Sequence, residues 1–212
     1  MTLRIGVDTG GTFTDLVLYS ADGVRVHKVR STPDDPSRAI LTGLADLLRP
    51  DTAMHADRAW PAGLEVLHGS TVATNALLER RGARIALLTT HGFEDILRIG
   101  RQTRRELYNL SVEGLAPLVE PALTFGIRER LDAHGCVLVP VDRQQVHTIV
   151  SGLAERGVES VAVCFLHAYA NDLHERSVAE AVRSCVPAVS TSSSVLSEYR
   201  EFERCSTTVV NA

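Results

Sequence analysis

Hydrophobic and polar residues alternate with a period of two through much of the first thirty positions of the chain. Residues 3–8, 13–19 and 24–30 each show this alternation, which is typical of half-buried strands. Only Ala21-Asp22-Gly23 separates the second segment from the third, and this sequence favours a tight turn. The pattern therefore predicts three consecutive strands near the N-terminus.

Helical and strand patterns then alternate up to residue 89. Asp35 is predicted to cap a helix that has Pro36 at its first position and an apolar face formed by Ile40, Leu44, Leu47 and Leu48. A strand over 64–69, a helix over 71–81 that ends at Gly82, and a strand over 84–89 are predicted to follow. Short connections of this kind favour a largely parallel sheet with helices on its faces.

The middle of the chain has weaker patterns. Residues 100–121 show no sustained periodicity and are predicted to form a long functional loop with short helical pieces. Segments 125–131 and 136–139 flank Asp132-Ala133-His134-Gly135 and predict a hairpin. Asp142 is predicted to cap the next helix, whose inward face is formed by Val146, Ile149, Val150 and Leu153.

The last third predicts two strands, over 158–167 and 189–192, with a helix between them. Asp172 and Glu175 have the spacing of a capping box for this helix, and its buried side is predicted to hold Val178, Ala181, Val182 and Cys185. Charges of both signs follow and predict a salt-bridged helix surface formed by Glu198, Arg200, Glu201, Glu203 and Arg204. Residues 206–212 resemble the opening of a further helix.

Composition narrows the class of protein. The chain has 212 residues, 44% of them hydrophobic and 23% charged, as in ordinary globular domains. Its formal charge of −4 argues against binding nucleic acid through phosphate contacts. No apolar run is long enough to span a bilayer and no signal peptide is recognisable, so a cytoplasmic location is expected. The four cysteines lack CxxC spacing, which indicates reduced thiols, with Cys164 and Cys185 expected in the core.

The most informative segment is Asp8-Thr9-Gly10-Gly11-Thr12-Phe13-Thr14, between the first two strands. Adjacent glycines allow a tight turn and let successive N–H groups approach a ligand, since no Cβ is in the way. Threonine hydroxyls flank the turn, and Asp8 is a hard carboxylate suited to Mg²⁺ through water. The segment predicts a site for the phosphates of a nucleotide. The alternative is an ordinary hairpin turn, which has no use for the carboxylate and the threonines together.

Two other glycine-rich phosphate motifs do not fit this segment. A Walker A loop ends in Gly-Lys-Ser/Thr and opens a helix, whereas no lysine occurs here. A dinucleotide fingerprint places its third glycine at a helix start, whereas this turn leads directly into a strand.

A second candidate segment is His68-Gly69-Ser70-Thr71-Val72-Ala73-Thr74-Asn75, at a predicted strand end and helix start. Free N–H groups at a helix start favour an anion, and Thr71, Thr74 and Asn75 add side-chain donors. His68 can hydrogen-bond an oxygen or transfer a proton. An equally good interpretation is structural, with Ser70 or Thr71 as a helix cap and His68 as a satisfied imidazole.

Weaker candidates lie further along the chain. Thr89-Thr90-His91-Gly92 repeats the strand-end pattern, but an ordinary turn explains it better. Arg98, Arg101, Arg104 and Arg105 form a local basic cluster that suits either an anion or a subunit contact. His167 is better explained by a capping or core role. No zinc site or serine triad is predicted.

The two leading motifs, residues 6–15 and 68–76, together resemble the N-terminal region of the hydantoinase A/5-oxoprolinase/acetone carboxylase β-subunit family. Further matches to this family are residues 92–95, 99–102, 165–169 and 206–212, in the expected order along nearly the whole chain. Ser70 stands where many members have threonine, which keeps the hydroxyl.

The resemblance implies an α/β fold: a ribonuclease-H-like, actin-like ATPase half-domain with a mixed sheet flanked by helices, plus a smaller α/β segment. The expected divisions are 1–110 for the half-domain with the phosphate turn, 111–195 for the smaller segment, and 196–212 for the start of a connection. Family members continue into a second actin-like half that holds the adenosine pocket. The isolated chain is therefore expected to turn over ATP weakly or not at all.

The resemblance also implies an ATP-dependent hydrolase that opens cyclic amide or hydantoin rings after phosphorylation of the ring carbonyl. Asp8 would hold Mg²⁺ through water, with Asp15 orienting water or the turn. Phosphate would be bound by Thr9, Gly10, Gly11, Thr12, Thr14 and Thr74, and the reacting group would face His68, Thr71 and Asn75. A hydantoinase B-type partner and an oligomer are expected. The alternatives are the ATP-binding β subunit of an acetone-type carboxylase and a nucleotide-gated binding module.

Overall fold

The computed structural model describes residues 3–21, 23–48, 63–103, 108 and 116–212. Asp22, Pro50, Trp60-Pro61, Arg104, Arg105 and much of the expected 100–121 loop lie outside these residues. Contacts divide the chain into two compact units, 1–82 and 83–212. This division comes earlier than the expected boundary at residue 110, because the strand after residue 83 pairs within the second unit.

The first unit contains a four-stranded sheet in the order β3-β2-β1-β4. Its strands are β1 (Leu3–Thr9), β2 (Phe13–Ser20), β3 (Gly23–Arg30) and β4 (Leu64–Ser70). The three predicted N-terminal strands are confirmed and form an antiparallel meander, while β4 pairs parallel with β1. The sheet is mixed, as expected from the family resemblance, but mainly antiparallel, because short turns can join only antiparallel neighbours.

Helix α1 (Pro36–Leu48) covers one face of this sheet. The Asp35 carboxylate accepts from the Ser37 backbone N–H at 3.1 Å, so the predicted cap is confirmed. The core between α1 and the sheet is formed by Ile5, Val7, Leu16, Leu18, Leu44 and Leu47. Sheet alternation therefore sends the side chains of odd-numbered β1 residues toward α1 and those of even-numbered residues to the other face.

Helix α2 (Val72–Leu78) is shorter than predicted. Arg80, with φ 54°, takes the left-handed position after the helix, and the Arg81 N–H donates to Ala76 O at 2.8 Å. This is the Schellman arrangement. The prediction that Gly82 ends the helix is wrong, because the chain has already turned at Arg80.

The second unit contains a parallel sheet in the order β10-β9-β5-β6 and a separate hairpin, β7-β8. The central strand β9 is buried along its whole length, as expected for a parallel strand covered on both faces. The elements, in chain order, are β5 (Ile85–Thr90), α3 (Ile96–Ile99), a 3₁₀ turn (Pro121–Leu123), β6 (Thr124–Ile127), β7 (Arg130–Leu131), β8 (Val137–Val139), α4 (Arg143–Ser151), β9 (Ser160–Cys164), α5 (Leu173–Arg183), β10 (Ala188–Thr191), α6 (Ser192–Val195) and α7 (Glu201–Asn211).

The two predicted local motifs before β9 are confirmed. The hairpin turn at Asp132 is held by the Cys136 N–H, which donates to the Asp132 carboxylate at 2.8 Å and lowers its pKa. Asp142 caps α4 by accepting from the Gln145 N–H at 3.0 Å. Only Arg130 and Leu131 of the predicted segment 125–131 belong to the hairpin, because β6 pairs with β5 instead.

Three predictions around α5 are wrong. Asp172 accepts no capping hydrogen bond, and Glu175 is fully buried and bonds elsewhere. Ala181 and Cys185 are exposed, since Val178, Ala179 and Val182 form the inward stripe. Strand β9 ends at Cys164, before the predicted residue 167.

The predicted helix surface in the last segment is also incorrect at two positions. Glu198 lies outside α7, and Arg204 is 1% exposed. Residues 206–211 continue the same helix. Cys205, also on α7, is buried beside Cys164, and the hydrogen bond between the two thiols together with burial raises the pKa of Cys205.

No helix within the described ranges is long and apolar enough to cross a membrane.

The packing of α1 on β2 allows only a glycine at position 43. A Cβ there would overlap Leu16 Cδ1 and lie 3.0 Å from Cδ2, and Leu16 is fully buried. Gly43→Val should therefore lower the free energy of unfolding by about 1–3 kcal/mol through overpacking. Denaturant unfolding followed by circular dichroism measures this loss. Thr42→Val, on the exposed side of α1, is the matched control, and equal stabilities for the two variants would contradict the packing.

Candidate functional site

The turn between β1 and β2 is closed by its own backbone and supported by β3. The Gly10 N–H donates to Phe13 O at 3.0 Å. Ser31, just after β3, donates its backbone N–H to Thr12 O at 3.0 Å and its hydroxyl to Gly10 O at 2.7 Å. Two carbonyl oxygens of the turn are therefore held by one serine from a neighbouring strand.

The N–H groups at the tip of the turn remain free. Within the described residues, neither Gly11 nor Thr12 makes a backbone N–H hydrogen bond, and both are exposed. A Cβ on Gly11 would meet nothing within 4 Å, whereas one on Gly10 would lie 3.0 Å from Phe13 O. Gly10 is thus needed for the tight turn, and Gly11 leaves open space beside the free donors. Successive free N–H groups of this kind attract anionic oxygens.

Two carboxylates lie side by side on the sheet face away from α1. Asp8 on β1 is directly opposite Asp15 on β2. Lys28 Nζ is 2.6 Å from the Asp15 carboxylate, which neutralises it. Asp8 is exposed, and its carboxylate forms no ion pair or hydrogen bond with any described residue. The unpaired charge next to the turn therefore belongs to Asp8.

The two threonines of β1 and β2 point to the opposite face of the sheet. Thr9 and Thr14 are a register pair, both buried. The Thr14 hydroxyl is 3.0 Å from Ser31 Oγ, so it is already engaged inside the unit. This placement differs from the expectation that Thr14 contacts phosphate, because strand alternation directs its side chain into the space beneath the turn.

Strand β4 brings the second motif to the same end of the sheet. The Thr71 N–H donates to Thr9 O at 3.0 Å, and His68 Nε2 is 3.0 Å from Thr9 Oγ1. A Cβ on Gly10 would lie 3.8 Å from Thr71 Oγ1, so the Thr71 hydroxyl is close to the turn. Thr9, His68 and Thr71 therefore meet beside Gly10.

Thr74 and Asn75 lie within α2, one turn further from the glycines. Thr74 is exposed, Asn75 is half-buried, and no side-chain bond joins either one to the β1–β2 turn. Because α2 has only seven residues and Thr71 makes no side-chain cap, this helix start is a weaker feature than the sequence suggested. The structure brings together the turn, Thr9, His68 and Thr71, but not Thr74 or Asn75.

This arrangement has the chemistry of a phosphate and magnesium site. Free N–H groups can donate to phosphate oxygens, and an unpaired carboxylate can bind hydrated Mg²⁺, which usually keeps several waters and needs only one or two protein carboxylates. No cluster of three or more metal-binding side chains occurs in the described part of the chain. A metal held by Asp8 through water and by phosphate oxygens fits this donor set.

Sequence reasoning missed Ser31 and Lys28. The register of the β2–β3 hairpin pairs Phe13 with Arg30, so the next residue outward on β3 must reach Thr12. The same register pairs Asp15 with Lys28. Both residues follow from the alternating pattern once the tight turn after Ser20 sets the register.

Comparisons with known proteins agree with the sequence motifs. Residues 4–186 match the family described as hydantoinase/oxoprolinase N-terminal region. The chain is 37% identical to the acetophenone carboxylase gamma subunit of Aromatoleum aromaticum, covering 98% of this chain and 30% of that subunit. It is 36% identical to caprolactamase subunit alpha of Pseudomonas jessenii, covering 99% and 31%. The chain thus spans about a third of the length of these relatives.

Solved structures lead to the same group of proteins. A nucleotide-free acetone carboxylase structure superposes with a TM-score of 0.82 at 26% identity, covering 99% of this chain and 32% of that one. The crystal structure of the ATP-dependent caprolactamase from Pseudomonas jessenii gives 0.78 at 36% identity, covering 99% and 31%. The described fold is therefore shared with two enzymes that are named for ATP-dependent reactions.

Removing the Ser31 hydroxyl should destabilise the first unit. Ser31→Ala leaves the buried Thr14 hydroxyl and the Gly10 carbonyl without this partner. We expect a loss of about 1–3 kcal/mol in the free energy of unfolding, the cost of an unsatisfied buried polar group. Thr12→Ala, in the same turn but exposed, should change stability by less than about 0.5 kcal/mol. Equal effects in denaturant titrations would show that Ser31 does not support the turn.

Proposed function

Because the chain belongs to the hydantoinase/oxoprolinase family through its N-terminal region, we propose that it is the N-terminal ATP-binding part of an ATP-dependent cyclic amide hydrolase. One observation carries this proposal: the free N–H groups of Gly11 and Thr12 lie beside the unpaired Asp8 carboxylate. The relatives support the reaction type, since the caprolactamase is named as ATP-dependent.

The fold that we propose for the first unit is the ribonuclease-H-like half of an actin-like ATPase. An antiparallel three-stranded meander, a fourth strand parallel to the first, and a glycine turn between β1 and β2 support this assignment. In such a fold, the turn lies at the sheet end where a nucleotide's phosphates are bound.

The β1–β2 turn supplies donors for phosphate oxygens. Gly11 and Thr12 offer backbone N–H groups in a fixed geometry, and the exposed Thr12 hydroxyl adds one more. Because Ser31 holds the carbonyls of the turn, these donors need no rearrangement when charge develops on phosphate. A prearranged site stabilises a transition state in this way. Thr14 would contribute indirectly, by positioning Ser31.

Asp8 is the residue that would hold Mg²⁺, through bound water. When bound, the metal would neutralise phosphate charge, and ATP would supply the phosphoryl group that activates the ring carbonyl. Lys28 neutralises Asp15, so this end of the sheet does not carry two uncompensated carboxylates.

His68 and Thr71 would face the reacting group. The Thr9 hydroxyl is hydrogen-bonded to one ring nitrogen of His68, and this bond fixes the orientation of the imidazole. Thr71 is close enough to Gly10 to reach a group bound at the turn. We assign Thr74 and Asn75 to the outer part of the same site. A bound substrate would contact them only if it extended beyond the β1–β2 turn.

A second candidate is the ATP-binding subunit of an acetone-type carboxylase. The acetophenone carboxylase gamma subunit and the acetone carboxylase structure favour it, since both are similar over nearly all of this chain. The residues of the site do not distinguish the two reactions. Phosphorylation of a ring carbonyl and phosphorylation of bicarbonate would both require the turn to bind the phosphates of ATP. A nucleotide-gated binding module is the third candidate.

The whole protein is proposed to work with a hydantoinase B-type subunit or domain, as an oligomer in the cytoplasm. Two relatives are named as subunits, which supports assembly with other chains. A chain that spans about a third of these relatives is expected to hydrolyse ATP weakly by itself.

Hydrolysis of ATP by the assembled enzyme tests the reaction type. 5-Oxoproline, hydantoin and a ketone with bicarbonate are offered separately, and release of phosphate and of the organic product is followed. Stimulation by a cyclic amide with ring opening is expected. Stimulation only by the ketone would select the carboxylase, and ATP-dependent binding without any turnover would select the binding module.

Asp8→Asn in the same assay tests the metal site. The amide keeps the shape of the side chain but removes the charge that holds hydrated Mg²⁺, so we expect activity to fall by about 10–100-fold, as for other groups that orient a metal indirectly. Raising the Mg²⁺ concentration should recover part of this loss. Asp46→Asn, an exposed carboxylate near the C-terminal end of α1, is the control. Unchanged activity in Asp8→Asn would remove this residue from its role.

A further inference from the structure

The second unit has a topological switch point at the carboxyl ends of β5 and β9. The chain leaves β5 through α3, which contacts α7, and leaves β9 through α5, which contacts α4. These two neighbouring strands therefore send their connections to opposite faces of a parallel sheet. Open α/β sheets bind ligands at this kind of switch point.

An arginine without an ionic partner lies at this end of the sheet. Arg204 on α7 is 1% exposed, and its Nη2 donates to Phe165 O, just past β9, at 3.0 Å. Its Nε and Nη1 are buried and have no hydrogen-bond partner. No carboxylate among the described residues forms an ion pair with it. A buried charge in this state is unfavourable unless a ligand compensates it.

The nearest buried carboxylate is committed to other donors. Glu175 accepts from the Phe165 N–H at 3.0 Å and, through its second oxygen, from the Ser193 N–H at 2.8 Å. Ser192 also donates its hydroxyl to Glu175. These bonds tie β9, α5 and α6 together, and they leave Arg204 Nε and Nη1 free.

A second group of buried polar side chains fixes the carboxyl end of β5. Thr90, the last residue of β5, donates to Glu129 and accepts from the Leu166 N–H at 2.9 Å. The other Glu129 oxygen is 2.7 Å from His174 Nδ1. Both ends of the switch point are therefore fixed by buried polar groups that do not involve Arg204 Nε or Nη1.

Two half-buried rings, those of Tyr169 and His167, follow β9. The Tyr169 ring centroid is 5.6 Å from the guanidinium carbon of Arg204, and the Tyr169 hydroxyl is 3.5 Å from His167 Nδ1. His167 has φ 57°, an unusual conformation for a residue other than glycine. Strained backbone of this kind is found at ligand sites.

We propose that the unit 83–212 binds the anionic group of a small molecule, a phosphate or a carboxylate, at Arg204. The site lies at the carboxyl ends of β5 and β9, with Tyr169 and His167 at its entrance. It belongs to a different unit from the β1–β2 turn and does not depend on the nucleotide role proposed for that turn. Arginine suits this task because its planar donors match both oxyanions.

The side-chain ¹⁵N–¹H signal of Arg204 Nε in the 212-residue chain tests the proposal. Arg204→Lys identifies the signal by its loss. Inorganic phosphate and acetate are then titrated separately at constant ionic strength. A saturable shift of this signal is expected with at least one anion, and the tighter of the two identifies the ligand class. No saturable shift with either one would overturn the proposal and leave water as the partner of Arg204.

Calorimetry with the same two anions gives the size of the effect. Arg204→Met should weaken binding of the preferred anion about 10–100-fold, which corresponds to the loss of hydrogen bonds to a charged group. Arg200→Met, just before α7 and exposed, is the matched control and should bind as the wild type does. Asp8→Asn should also leave this binding unchanged, so failure here is distinguishable from failure of the nucleotide site. If Arg204→Met does not fold, the wild-type signal of Arg204 decides.

Discussion

The hydrogen bonds of Ser31 to the β1–β2 turn are the constraint on which the first unit depends. A two-glycine turn is flexible, because glycine loses more conformational freedom on folding than any other residue. Ser31 removes this freedom by binding Thr12 O and Gly10 O from β3. As the carbonyls are held from behind, the N–H groups of Gly11 and Thr12 point toward solvent with no internal partner. The antiparallel meander thus fixes the glycine pair so that two neighbouring N–H donors stay free.

Strand alternation also separates the chemistry of this sheet end into two faces. Asp8 and Asp15 lie away from α1, while Thr9, Thr14 and His68 lie toward it. Lys28 neutralises one carboxylate, so a single negative charge remains beside the turn. The Thr9–His68 pair lies on the opposite face of the sheet from the free Asp8 carboxylate. The second unit also has buried polar side chains at one end of its sheet, and Arg204 is one of them.

Local patterns in the sequence predicted most of the elements, and register explains much of what they missed. The meander, α1 and the α4 cap follow from alternation and capping residues, and Ser31 follows from the β2–β3 register. Glu175 has capping-box spacing, yet its carboxylate binds Phe165 and Ser193, which are distant in sequence. The burial of Arg204 was not predicted, because the neighbouring charged residues suggest an exposed helix surface. Cys205 and Val209 belong to the same buried side of α7. Long-range polar contacts of this kind leave no periodic signal.

A structure of the assembled enzyme with Mg²⁺ and a non-hydrolysable ATP analogue tests the central claim most directly. The expected result places phosphate oxygens within hydrogen-bond distance of the Gly11 and Thr12 N–H groups, with the metal reached by Asp8 through water. Phosphates bound at any other part of the protein, with these two N–H groups still facing solvent, would contradict the account.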